Sequence, residues 1–288
     1  MNLKHTSKSM AVATLTLSGL AFCPVAQAQT IDPKAVENFA TAVPGGSTSL
    51  SEADLAKDLQ NPVADLISVP LENRFDFGPG TTLRYTLNIQ PVVPFRLTEN
   101  WMVVSRTILP VVYAESPVPG GAALGGIGDI TQSFFFAPKE PTAGWIWGAG
   151  PVLRLPTATR NIFGEERWGA GPTAVALRQD GPWTYGALVN HVWSFAGWGP
   201  ENVNTTYLQP FLAYTTDTLT TIGVGTETGY SWTQNQWTVP LDASVSQLVQ
   251  FGKLPVEFGV GFRVYAERPD GGPNWGMKFT MTFVFPTK

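Results

Sequence analysis

Few of the groups that carry out enzyme chemistry occur in this chain. It has one cysteine, Cys23, and two histidines, of which only His191 lies beyond the first few residues. A chain with so few thiols and imidazoles has little with which to build a disulfide framework, a thiol nucleophile or a zinc site. Charged residues make up only 14% of it, and the formal net charge of −4 is spread along its length. Neither nucleic acid nor an anionic membrane surface is implied as a partner by that balance. Beyond the amino terminus no apolar run reaches the eighteen or so residues of a membrane helix. No repeat of 20 to 50 residues is visible.

Aromatic residues are abundant instead, with ten Trp and seventeen Phe. From residue 65 onward apolar and polar residues alternate. Trp237, Val239, Leu241, Ala243, Val245 and Val249 share one parity, while Thr238, Asp242, Ser244 and Ser246 share the other. After Gly252 and Lys253, Val256, Phe258, Val260, Phe262 and Val264 alternate with Glu257, Arg263 and Glu267. Period two means strands with one apolar and one polar face. Tryptophans at strand ends place the apolar face against lipid, because indole prefers the headgroup boundary. A barrel is the all-β way to satisfy every backbone group in a bilayer. The expectation is therefore an all-β fold, a transmembrane antiparallel up-and-down β-barrel of about twelve strands in the bacterial outer membrane, with surrounding lipid as one partner.

The amino terminus fits export. Lys4 and Lys8 precede an apolar run from Met10 to Phe22, and Ala26, Gln27 and Ala28 form a small-x-small site, so residues 1–28 read as a cleaved signal peptide. Phe22 before Cys23 and Pro24 after it suit a lipoprotein signal poorly. Delivery of a barrel also implies the barrel-assembly machinery as a partner during biogenesis. Residues 29–64 read as a periplasmic segment and 65–288 as the barrel. Within the segment Ser51 and Asp54 resemble a capping box, and Ala53, Leu55, Ala56 and Leu59 recur at helical spacing until Pro62. The short helix expected there is either a plug in the lumen or a loose tether.

Expected strands span 65–77, 82–96, 101–113, 127–138, 144–156, 167–179, 182–196, 203–215, 219–232, 237–250, 255–267 and 274–286. Each is long enough to span, since a tilted strand needs about 9 to 11 residues. Every second connection is tight, as periplasmic turns are, and most of the others are longer and rich in Gly, Pro and charge. Trp101, Trp145 and Trp183 then fall at the tight-turn end, and Trp168, Trp193, Trp232, Trp237 and Trp275 at the other. Two aromatic girdles result.

If Gly252 and Lys253 form a two-residue turn, Asp242 lies opposite Arg263. Extending that register brings Glu227 beside Asp242 and Lys278 beside Arg263, with Gln209 and Asn190 continuing an oblique polar ribbon. A charged side chain on the lipid face costs about 2 to 4 kcal/mol at the midplane for Arg or Lys, so the ribbon belongs inside. Arg84, Arg106, Arg154, Asp129, Glu257 and Glu267 are further inner-face candidates. Two readings remain for these lumen-lining residues: cross-strand pairs that fix the sheet, or a pore wall that orients a permeant. A strongly ion-selective filter needs rings of one sign, and here the signs balance. Gly148, Gly150, Gly169, Gly171, Gly223, Gly225, Gly259 and Gly261 share the inner parity. They either open a passage or let the sheet bend.

Catalysis is not expected. His191 and Ser194 stand three residues apart, which in a strand puts them on opposite faces, and no Gly-x-Ser-x-Gly pattern occurs. Gly125 to Gly128 lacks the Lys and following helix of a phosphate cradle. No metal or cofactor is implied.

Several segments also resemble a known family. LNIQPVVPF from Leu87, SRTILP from Ser105, GIGDI from Gly126, GPVLRLP from Gly150, WGAGPTAVA from Trp168, WTYGA from Trp183, NHVWS from Asn190 and LQPF from Leu208 occur in order at similar spacing. They resemble the outer-membrane family named for a meta-pathway of phenol degradation, over roughly residues 54–288. The resemblance implies an outer-membrane barrel and passage of small aromatic or hydrophobic compounds, and it carries over no binding or catalytic residues. One departure is the carboxyl end, where Phe285 is followed by Pro286, Thr287 and Lys288 instead of closing on an aromatic residue. The alternative to a channel is a non-conducting structural or surface-binding barrel.

Overall fold

A computed structural model describes residues 51–79, 81–115 and 121–286. Residues 1–28, expected to be a signal peptide and including Cys23, and residues 29–50 lie outside the described residues, as does part of the connection expected between 114 and 126.

The structure is a closed antiparallel transmembrane β-barrel of twelve strands. In chain order these are β1 (Leu66–Gly78), β2 (Thr81–Ile89, continuing as Val92–Arg96), β3 (Trp101–Glu115), β4 (Leu124–Ile127, continuing as Ile130–Pro138), β5 (Ile146–Leu155) and β6 (Arg167–Asp180). β7 (Trp183–Gly197), β8 (Asn204–Thr215), β9 (Thr220–Thr226, continuing as Thr228–Ser231), β10 (Gln236–Phe251), β11 (Leu254–Glu267) and β12 (Trp275–Pro286) complete it. Each strand pairs with its neighbours in sequence, and β12 pairs with β1 from Leu66 opposite Pro286 to Phe77 opposite Trp275. Closure leaves no unpaired edge. β4 begins at Leu124, earlier than the alternation indicated, because its first four residues pair with β3 before an irregularity at 128–129.

Connections at one end are short. Gly252, at φ 61°, opens a two-residue turn that only a residue tolerant of positive φ adopts without strain, and Phe251 pairs with Leu254 across it. At the opposite end residues 156–166, 198–203 and 268–274 form longer loops. Outward-facing side chains between these ends are large and exposed: Ile222, Val224, Phe262 and Val260 are about half accessible. On β7, Trp183 and Trp193 are both exposed and stand ten residues apart. At roughly 3.3 Å per residue and a tilt of about 40°, that separation is about 25 Å of height, the thickness of the apolar band on such barrels. The strand is thus cut to the bilayer.

The helix α1 (Glu52–Asp58) precedes β1. Ser51 caps it, its hydroxyl accepting from the Asp54 amide at 3.1 Å and donating to the Asp54 carboxylate at 2.6 Å. Its apolar side, Leu55 and Ala56, is buried with Leu66, Leu248 and Val284 at the short-turn end. The chain then turns through Asn61, whose side-chain oxygen accepts from the Val63 amide, and drops Val63 among Val104, Phe135 and Leu177, all fully buried. Each such aliphatic side chain contributes about 1.5 to 3 kcal/mol by leaving water. Gln60 donates to Glu257 at 3.3 Å, and Gln179 donates to the Lys57 carbonyl at 3.0 Å. Residues 51–64 are therefore packed against the inner wall on several sides.

Candidate functional site

Alternation sends Glu72, Arg74 and Asp76 of β1 to one face and Leu71, Asn73 and Phe75 to the other. The charged face is the inner one. Arg74 meets Glu227 of β9 at 3.4 Å, and Arg263 of β11 meets the same carboxylate at 2.9 Å, contacts between strands that are not neighbours in the sheet. Such chords can be drawn only through the interior.

A belt of six charges results. Asp242 stands directly opposite Arg263 and accepts from its Nε at 2.7 Å and its Nη2 at 3.0 Å. Lys278 lies 3.6 Å from Glu72, 3.9 Å from Asp242 and 4.0 Å from Glu227. Arg74 is 3.9 Å from Glu72, and Asn88 donates to that carboxylate at 3.2 Å. Three cations, Arg74, Arg263 and Lys278, thus neutralise three anions, Glu72, Glu227 and Asp242. Arg263 is the most buried of them, 2% exposed. A bidentate, charge-assisted pair in that setting is rigid.

The extended register differs from expectation at three points. Gly225, not Glu227, stands opposite Asp242, and Gly276 stands opposite Arg263 while Lys278 faces Gly261. The long loop after β11 does not set the pairing as a two-residue turn does, and Lys278 lies two residues from the position opposite Arg263, with the parity kept. Likewise Asn190 is opposite Tyr207 and Gln209 is opposite Leu188; the Tyr207 hydroxyl donates to Gln209 at 3.2 Å.

Other candidates occupy separate places. Arg84 is paired in register with Asp76 near the long-loop end. Arg154 lines a cavity of about 230 Å³ at that end together with Glu165, Glu201 and several amide and hydroxyl side chains. Asp129 accepts from the Ala158 and Glu165 amides at 3.1 and 2.7 Å and so holds the 156–166 loop, and Glu267 is exposed at the strand end. Glu257 accepts from Ser246 at 2.7 Å and from Gln60. Arg106 donates to Gln90 at 2.9 Å.

Below the belt a second, partly open cavity of about 270 Å³ lies between Asp242, Glu227 and Lys278 above and Asp58, Leu59, Gln60, Asn61, Pro62 and Ala64 beneath. Asp58 borders it, and burial, reinforced by the nearby Asp54 carboxylate, pushes Asp58 up to about 6.

The inner glycines divide by what surrounds them. A Cβ on Gly171 would collide with the His191 carbonyl, and one on Gly150 with the Phe134 carbonyl, so these sit where neighbouring backbones approach closely. Gly223 and Gly225 instead line the cavity.

Glu72, Arg74, Tyr207 and Gln90 were not singled out in the sequence. The period-two series Pro70, Glu72, Arg74 and Asp76 carries the signal for the first two. His191 contacts Thr206 at 2.7 Å and lies on the Trp193 ring at 4.1 Å, whereas the Ser194 hydroxyl accepts from the Val203 amide.

No family model matches the chain, and no curated protein matches it in sequence. Solved structures do. An outer membrane channel from Pseudomonas putida F1 superposes with a TM-score of 0.59 at 16% identity, over 77% of this chain and 96% of that one. The NanC porin superposes with a TM-score of 0.50 at 10% identity, over 76% and 98%. Outer membrane phospholipase A from Escherichia coli gives 0.46 at 10% identity, over 82% and 97%. These likenesses are of fold. The expectation that the chain is not an enzyme has to be withdrawn, because a barrel of this kind excludes no enzymatic class.

Proposed function

We propose that the chain is an outer-membrane channel for the passive passage of small aromatic or hydrophobic compounds. One observation carries the reading: besides the packed apolar cluster around Val63, the interior holds two cavities lined in part by polar side chains, on either side of a neutral belt of charge. Likeness in fold to a solved outer membrane channel and a porin supports it. So does the sequence resemblance to the family named for phenol degradation, from which the permeant class is taken. In this reading residues 1–28 are removed on export, residues 29–64 form a periplasmic plug, and 65–288 form the barrel. Asn190, Gln209, Glu227, Asp242, Arg263, Lys278, Arg84, Arg154 and Glu257 form the permeation wall.

The test is uptake by liposomes holding the purified chain, with phenolic acids set against sugars and salt. Flux of the aromatic compounds above that of empty vesicles is expected, and none above it removes the channel. A second reading, a barrel that conducts nothing, is favoured by the belt and residues 51–64 lying together across the lumen. Bilayer conductance recorded with and without residues 29–64 separates the two.

A further inference from the structure

The cavity beneath the belt has an electrostatic asymmetry. Of the charges around it, Glu227 and Asp242 are both engaged by Arg263, at 2.9 and 2.7 Å. Lys278 lies within 4.0 Å of three carboxylates. Arg106 is different. Among the described residues it forms no ion pair, and its one side-chain hydrogen bond runs from Nη2 to the neutral Gln90 amide oxygen at 2.9 Å. A guanidinium has five N–H donors, so several remain for a ligand. Arg106 is half-buried and acts on the Glu72 carboxylate through space without pairing with it, so its unused donors can take an anion in the cavity.

The other walls narrow the class of anion. Val92, Phe211, Leu59 and Pro70 supply apolar surface around the same space. The volume, about 270 Å³, lies at the small end of ligand pockets. Arg106 is the one cation of the lining without an ion pair among the described residues and can neutralise a single negative charge, so a dianion such as a phosphate monoester is disfavoured. We infer that this cavity binds a small organic monoanion, with its carboxylate on Arg106 and its apolar body against Val92 and Phe211. The inference rests on the proposed reading insofar as the lumen must admit small molecules, and it makes the carboxylate the group by which a permeant is held.

Benzoate and its neutral isostere benzamide are the probes, titrated calorimetrically into the full chain in detergent, alongside R106Q and R106K. Cold-gel mobility reports whether each variant is folded. Benzoate should bind the unaltered protein more tightly than benzamide by about tenfold or more, R106Q should erase that preference, and R106K should retain part of it. Equal affinity of the unaltered protein for the two probes overturns the proposal without any variant, as does a folded R106Q that keeps the preference. The channel reading is judged separately by liposome flux: flux without benzoate preference sinks only the binding site, and preference without flux sinks only the channel.

Discussion

Asp242 and Arg263 face one another across adjacent strands, joined by two hydrogen bonds, with the guanidinium almost wholly withdrawn from solvent and shared with Glu227. This pair holds together the part of the wall where three carboxylates and three cations converge. Removing the arginine leaves two of those carboxylates without their nearest cation. Removing the aspartate charge leaves the arginine with Glu227.

R263A is therefore expected to cost about 3 to 5 kcal/mol of barrel stability, and D242N clearly less. Urea unfolding in detergent, followed by tryptophan fluorescence, measures both. Equal losses would mean that Glu227 does not share the load.

The glycines of the inner wall should respond in opposite ways. G171A forces the His191 backbone aside and is expected to destabilise by roughly 1 to 3 kcal/mol, as overpacking does. At Gly223 the nearest atom to an added Cβ is the Ser244 hydroxyl at 3.2 Å, which can rotate away. G223A should leave the unfolding midpoint nearly unchanged, while G223L, by filling the cavity, should lower single-channel conductance.

Docking of the amino-terminal segment is expected to weaken as pH rises. The Asp58 carboxyl titrates at about 6 when docked and near the ordinary 3.9 when released, so the docked state binds the proton more tightly. Its preference for the docked form is fully present below about pH 4 and is lost as pH rises through about 6. Protease cleavage at Lys57, followed between pH 4.5 and 7.5, should accelerate over that window, and D58N should flatten the dependence.

Val63 offers a direct way to free the segment. V63D puts a charge among Phe135, Leu177 and Val104 and should expel residues 59–64 while the strands, which close without them, stay paired. Conductance should rise with heat-modified gel mobility unchanged; loss of the folded band would show instead that Val63 is part of the barrel's own core.

Much of the barrel was legible because a lipid-facing sheet writes its two faces into alternate residues. Asp242 opposite Arg263 could be read directly, since a two-residue turn through Gly252 leaves one register. Lys278 could not be placed as closely, because the residues between Glu267 and Trp275 do not determine pairing, and it lies two positions from where the extrapolated register put it. Glu72 and Arg74 were visible as alternating charges, but their partner Glu227 lies on a strand far along the chain, and such chords across a lumen leave no local mark. The contact of Gln60 with Glu257, 197 residues away, is of the same kind. Composition and periodicity say which side chains point inward; they do not say how far each reaches.

The seam between Leu66–Gly78 and Trp275–Pro286 makes the earliest spanning segment wait for the latest. Until the final segment arrives, the first has a raw flank, and a polypeptide shortened at its tail cannot complete the ring. Half-made copies should therefore be cleared by proteolysis and not accumulate as smaller pores.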